Sequence, residues 1–161
     1  MSGEMSYPSV EVHGLRPMCS FLGAVHDALR PIGYPVMRIA VGLAIASHGY
    51  VKLSLLLSGH GAGFAEKVFA AHGLHPGIFW LAFIGCVEFF GGLLLAAGLL
   101  TRLAAVAVGI DLLMALILVL LPRGGLNAGD QLILMWGLMV FGIGCIGGGP
   151  SSLDAVIGKE L

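Results

Sequence analysis

Charge is what this sequence has least of. Lys and Arg together number 8, Asp and Glu 9, and charged residues make up 11% of the 161 residues, less than half of the ~25% usual in soluble domains. A chain this small leaves a large surface, and these few polar groups cannot cover it. A soluble globule is thereby excluded, and a hydrophobic share of 58% excludes a disordered chain. The formal net charge is −1, so the basic footprint of a nucleic-acid binder is missing as well. Cysteine is scarce: Cys19, Cys86 and Cys145 are odd in number and form no C-x-x-C pair. Cys86 lies midway along one apolar run and Cys145 towards the end of another, which argues against a bridge. Both are expected to be small buried apolar residues. No P-loop, G-x-S-x-G, dinucleotide fingerprint or C-x-x-C-H haem site occurs.

What is there is apolar and continuous. Four runs stand out, at 32–57, 78–100, 103–121 and 131–149. A helix rises ~1.5 Å per residue, so ~20 residues cross a ~30 Å hydrocarbon core. Lipid offers no partner for backbone groups, so each run is expected to be helical. The links are short, which makes successive helices antiparallel neighbours. The expected fold is all-α, a four-helix antiparallel transmembrane bundle over 31–149. Thr101 is expected to cap the third helix and Asp130 the fourth. The longest link, 58–77, holds His60, His72 and His75. They lack the H-x-x-x-H pair of a helical metal site, so they read as solvated loop histidines and no metal is expected. Trp80 and Trp136 are expected in an aromatic belt.

The flanks differ. Residues 1–14 are polar. Over 16–30, Met18, Phe21, Leu22, Val25 and Leu29 recur at helical spacing, which predicts a short interfacial helix lying on the membrane. No small-residue cleavage site is placed to make it a signal peptide. Residues 150–161 read as a short tail. Arg16, Arg30, Arg102 and Lys159 fall on one side of the expected topology and Lys67 and Arg123 on the other. That excess predicts both termini in the cytoplasm.

The charges inside the runs carry the functional information. An ionised group at the bilayer centre costs at least ~2.5–3.5 kcal/mol, so such residues face the bundle interior and are paired. Arg38 and Lys52 balance Glu88 and Asp111, with His48 as a fifth polar member. At ~100° per residue, Arg38, Val41, Ile45, His48 and Lys52 share one arc of roughly 80°. His48 is about 9 residues, or ~13 Å, from the end of its run. Glu88 and Asp111 lie at a similar depth in theirs, and the Lys52 side chain leans back toward that level. Arg38, nearer the other face, is expected to reach for headgroups. Gly85, Gly91 and Gly92 beside Glu88, Ala104, Ala107 and Ala115 around Asp111, and a ridge of Gly137, Gly144 and Gly148 permit close helix approach.

These residues also carry a resemblance. The segments PVMRIAVGLAIASHGYVKL, GFAEKV and FIGCVEFFGGLLLAAGLLTRLAA, followed by an acidic third helix, resemble the DoxX family from residue 35 to 147. The most specific parts are the Arg followed by H-G-x-x-K-L and the pattern E-x-x-G-G-x-L-L-x-x-G-L-x-T-R. The resemblance implies a bacterial inner-membrane protein with four helices. It is similar to the membrane subunit of thiosulfate:quinone oxidoreductases and to members of membrane complexes that handle thiol or oxidative stress. The matching positions are Arg38, His48, Lys52, Glu88 and Arg102, while Asp111 rests on its depth alone.

Two functions of different class follow. In the first, the chain is the membrane subunit of a quinone-linked redox system. His48, Glu88 and Asp111 would handle protons or quinone, and Lys52 and Arg38 would bind it. The sequence carries no haem, flavin or iron–sulfur pattern of its own, so a redox partner protein or membrane complex would supply electrons. In the second, the polar cluster fixes helix register in a membrane scaffold or assembly subunit, as a monomer or a homo-oligomer. A small-solute carrier is the weakest alternative, since no paired broken helices occur.

Overall fold

The computed structural model of the protein describes residues 20–120 and 128–158. Among these residues every regular element is helical: α1 (Ser20–Leu57), α2 (Gly61–Val68), a 3-10 turn (Ala70–His72), α3 (Gly77–Ala97), α4 (Thr101–Ala115), a π turn (Leu116–Leu120), α5 (Ala128–Ile146) and α6 (Leu153–Ile157). Four segments are long and apolar enough to cross a membrane: Pro31–Leu57, Gly77–Ala97, Thr101–Leu118 and Gly129–Ile146. They coincide with the four apolar runs. Large side chains such as Leu103, Val106, Leu138 and Phe141 are exposed on their outer faces, an arrangement suited to hydrocarbon rather than water. Cys86 and Cys145 are also exposed, contrary to the expected burial. Lipid accepts a thiol as readily as a packed interior does, so no force draws them inside.

The chain divides into two units, residues 1–32 and 33–161. The first is helical from Ser20, with Phe21, Val25, Leu29 and Ile32 forming an exposed apolar stripe. Residues 16–19 of the expected interfacial helix lie outside the described residues. The helix does not stop before Pro31. It is assigned without a break through Pro31 and Pro35 to Leu57. In an apolar run the bonds lost at proline are few against those kept by continuing the helix.

In the second unit, α1 and α3 meet backbone to backbone. A Cβ added at Gly42 would lie 2.5 Å from the Ala96 amide nitrogen, and one at Gly92 would lie 2.6 Å from that of Ala46. One at Gly49 would collide with the Phe89 backbone. A glycine on one side of each contact permits this approach, and packing supplies the attraction that hydrophobicity cannot provide inside lipid. Gly91, on another face of α3, sits against Val108 of α4. Val41, Ile45, Leu95, Val108, Val140 and Ile143 close the core. The ridge expected on α5 is divided: a Cβ at Gly144 would touch Ala105, one at Gly148 would meet Ser152 and Thr101, and one at Gly137 would meet none of the described residues within 4 Å. Ala107, one turn before Asp111 on α4, is exposed.

The α3–α4 corner departs from expectation for a long-range reason. Helix α3 ends at Ala97 on Gly98, whose φ of +69° suits a residue without a Cβ. Leu100 then adopts φ +49°, a strained conformation for a branched side chain. Thr101 is the first helical residue of α4, not its cap. The capping group is Asp154, which accepts hydrogen bonds from the Leu100 amide (2.7 Å), the Thr101 amide (3.0 Å) and the Thr101 hydroxyl (2.8 Å). The Asp154 amide in turn donates to the Gly98 carbonyl at 2.9 Å. The C-terminal tail is therefore a docked element, with Ser152 capping α6 through the Ala155 amide at 3.1 Å. Asp130 likewise falls in the first turn of α5, which begins at Ala128, so it complements the helix dipole from inside the helix.

The longest link contains helix of its own. Residues 58–77, read as a loop, hold α2 and the 3-10 turn. Ala65 and Phe69 pack there with Leu81 of α3, flanked by Phe64, Leu74 and Trp80.

Two outcomes follow from this packing. Gly92→Leu forces a side chain into the α1 backbone, so it should lower thermal stability in detergent by more than the ~1–3 kcal/mol of ordinary overpacking. Gly137→Leu, facing open space, should melt no lower than the parent. Burial on its own would raise the pKa of Asp154, but the Thr101 and Leu100 hydrogen bonds and the Arg38 charge outweigh it and hold the carboxyl below its ordinary value. Its contribution is therefore full above the unfolded pKa of about 3.9 and is lost as pH falls through the lowered folded value. Asp154→Asn should cost about 1–2 kcal/mol at neutral pH, and melting curves between neutral and acidic pH should show the variant losing less on acidification than the parent.

Candidate functional site

The α1–α3 seam decides where the ionisable groups land. Lys52 is three residues beyond Gly49, and Glu88 immediately precedes Phe89 against which Gly49 packs. The Lys52 ammonium accordingly donates to Glu88 Oε2 in a short charge-assisted hydrogen bond. Side-chain exposure is 20% for Lys52 and 8% for Glu88, so the pair is largely withdrawn from the surroundings and each charge depends on the other.

His48, Lys52, Glu88 and Asp111 line one cavity of about 170 Å³. Its other walls are mainly aliphatic, with Leu112, Ile133 and Leu118 among them. Four of the five polar residues gathered from sequence thus line one cavity, and Arg38 does not. His48 differs in one respect. It is exposed rather than buried, and its ring stands edge-on to Trp136 with centroids 4.7 Å apart at 88°. It occupies the rim of the cavity, not its floor.

Arg38 is not part of this cluster. It does not reach outward as expected; it is 1% exposed. Its Nη2 donates to the Ser151 carbonyl at 3.0 Å, and it lies against Gly98, where any Cβ would collide with the guanidinium. Arg38 therefore belongs with Asp154 and the α3–α4 corner. The short arc on α1 is shared, but Arg38 is fourteen residues from Lys52, about 21 Å along the axis. Helical phase places residues on a face without bringing them to one level.

Two cavity residues were missed by sequence reasoning. Trp136 lines the cavity and packs edge-on against His48. His72 is no solvated loop residue: it lines the cavity from the 3-10 turn, with Nδ1 donating to the Val68 carbonyl at 2.8 Å. A carbonyl only accepts, so this contact puts the proton of the neutral ring on Nδ1 and leaves Nε2 as an acceptor. No local motif marks His72, because the fold of 58–77 onto α3 brings it to the cavity. The cavity also adjoins the π turn, through Leu118, and such turns recur at functional sites.

The site can bind a flat, ring-sized group. An apolar cavity of ~150 Å³ holds a benzene molecule, and this one adds an ammonium, two carboxyls and two imidazoles to aliphatic and aromatic walls. Coupling between Lys52 and Glu88 is open to a double-mutant cycle. Glu88→Gln leaves the Lys52 ammonium without its counter-charge and should destabilise by about 3–5 kcal/mol, by analogy with buried pairs in soluble proteins. Adding Lys52→Met should restore most of the lost melting temperature. A double variant no more stable than Glu88→Gln alone would show that the two groups are uncoupled.

Neither a curated protein nor a solved structure matches the chain. The family comparison is positive: the DoxX family model matches residues 33–121. That span includes Arg38, His48, Lys52, Glu88 and Asp111, and stops short of Trp136 and Asp154. It covers more than half of the chain and, together with four membrane-length helices, establishes that this multi-pass membrane protein belongs to the DoxX family.

Proposed function

We propose that the chain is the membrane subunit of a quinone-linked redox system and that the cavity of His48, Lys52, Glu88 and Asp111 is its quinone site. One observation carries this reading: five titratable groups, these four and His72, converge on a single ring-sized cavity walled otherwise by apolar and aromatic side chains. The residues fit the group. A quinone supplies, when bound, an apolar ring with two carbonyls that takes up two electrons and two protons. Lys52, already donating to Glu88, presents an ammonium that can donate to a carbonyl oxygen. His48 at the rim and Asp111 on α4 can each hold a proton at a ring nitrogen or carboxyl oxygen and release it to a neighbouring oxygen. Trp136, Leu112 and Ile133 exclude water from that exchange. Arg38 has no part in it, being committed to the α3–α4 corner.

Electrons come, in this reading, from a partner protein or membrane complex, and sulfur or thiol oxidation is the reaction class the family resemblance suggests. The placement is a bacterial inner membrane with both termini in the cytoplasm, following the excess of Arg and Lys on that side. The competing reading is a scaffold in which the Lys52–Glu88 pair only fixes register.

Fluorescence decides between them. In a Trp80→Phe background, Trp136 is the remaining tryptophan, and a quinone in the cavity should quench it saturably. His48→Gln keeps polarity while removing the titratable ring. It should weaken binding about 2–10-fold, the worth of one hydrogen bond, with an unchanged melting temperature. Absence of saturable quenching would leave the scaffold reading standing.

A further inference from the structure

A second feature lies on the other side of α4. An open groove of about 650 Å³ runs between α4 and α5, lined by apolar side chains except for Arg102. The groove and the 170 Å³ cavity are not separate: Leu112 and Ile133 line both. Along that stretch the wall between them is formed by these two side chains. The π turn continues it, with Leu116 on the groove and Leu118 on the cavity. We propose that the α4–α5 groove holds the hydrocarbon tail of a membrane-dissolved ligand whose head occupies the cavity, and that the head passes between Leu112 and Ile133. The proposal rests on the quinone reading for the head and adds the ligand class: a long-tailed quinone taken from the bilayer, not a water-soluble ring.

Three observations select a tail as the occupant. The first is the shared wall. A hydrocarbon chain can pass between two side chains, whereas a helix from a second copy, about 10 Å across, cannot. The second is the contrast in chemistry. The polar groups are concentrated in the small cavity and the large groove is almost wholly apolar, which matches one polar head on an apolar chain. The third concerns Gly109 and Gly137 in the groove. A Cβ at Gly137 would meet nothing within 4 Å, and one at Gly109 would meet only Val140 Cγ1 at 3.9 Å. Neither glycine has the positive φ that would require one. The α1–α3 glycines are forced by backbone contact; these two are not, and a glycine inside a helix weakens it. What their missing side chains provide is room in the groove.

The experiment compares two probes on the full chain carrying Trp80→Phe, by Trp136 quenching: a quinone with a two-isoprene tail and the same ring without a tail. Gly137→Leu fills the groove without touching the cavity, and Gly109→Leu is a second variant should the first not fold. Each groove variant should bind the tailed probe about tenfold more weakly than the parent, with the tail-less probe unchanged. Comparing variant with parent for the same probe cancels its partition into detergent. Equal effects on both probes, or none on either, would overturn the proposal. A change of oligomeric state with both probes affected alike would also overturn it and assign the groove to a second copy. If neither probe quenches the parent, the quinone reading itself falls and takes this one with it.

Discussion

Backbone contact between α1 and α3 is the constraint on which the rest depends. Lipid gives helices no hydrophobic reason to associate, so attraction must come from close packing. Gly42, Ala46 and Gly49 on one helix and Phe89, Gly92 and Ala96 on the other supply it. Their spacing fixes the register between the helices, and register sets Lys52 opposite Glu88. The ion pair is then both a consequence of the seam and a lock on it. A slip of one turn, about 5.4 Å, would leave two charges unpaired in a low-dielectric setting.

Two of the places where the described residues bury charge differ in character. At the α3–α4 corner, Asp154 caps a helix that begins fifty-three residues earlier and relieves the strain of Leu100 by binding its amide. Arg38 supports the same corner through Ser151. Among the described residues, Nε and Nη1 of Arg38 have no hydrogen-bond partner, yet the nearby carboxylate stabilises its charge. This corner is a closed, packed structure. The cavity is the opposite: its polar groups surround space, His48 stands at an open rim, and its neighbours on α4 and α5 also face a lipid-side groove. Packing that leaves a volume beside titratable groups is what distinguishes a site from a clasp.

Much of the fold and part of the site were legible in the residues. The four spans follow from apolar length alone, since lipid permits only helices there. The meeting of His48, Lys52, Glu88 and Asp111 follows from phase and depth, because the cost of a lone charge compels each to find the others. The H-G-x-x-K-L and E-x-x-G-G patterns record the same seam, a glycine beside each member of the ion pair.

Tertiary structure alone decided the rest. Arg38 shares the arc of Lys52, and only the docking of 151–154 shows that it serves a corner and not the cavity. The helix start at Thr101 carries no usable cap of its own, because the cap arrives from the far end of the chain. His72 and Trp136 enter the cavity through the folding of 58–77 onto α3 and the rotation of α5, neither of which leaves a periodic trace. Sequence fixes what each residue cannot tolerate: water for the spans, solitude for a charge, a side chain at the seam. Which partner satisfies each demand is a matter of contacts between distant segments, and those exist only once the chain is packed.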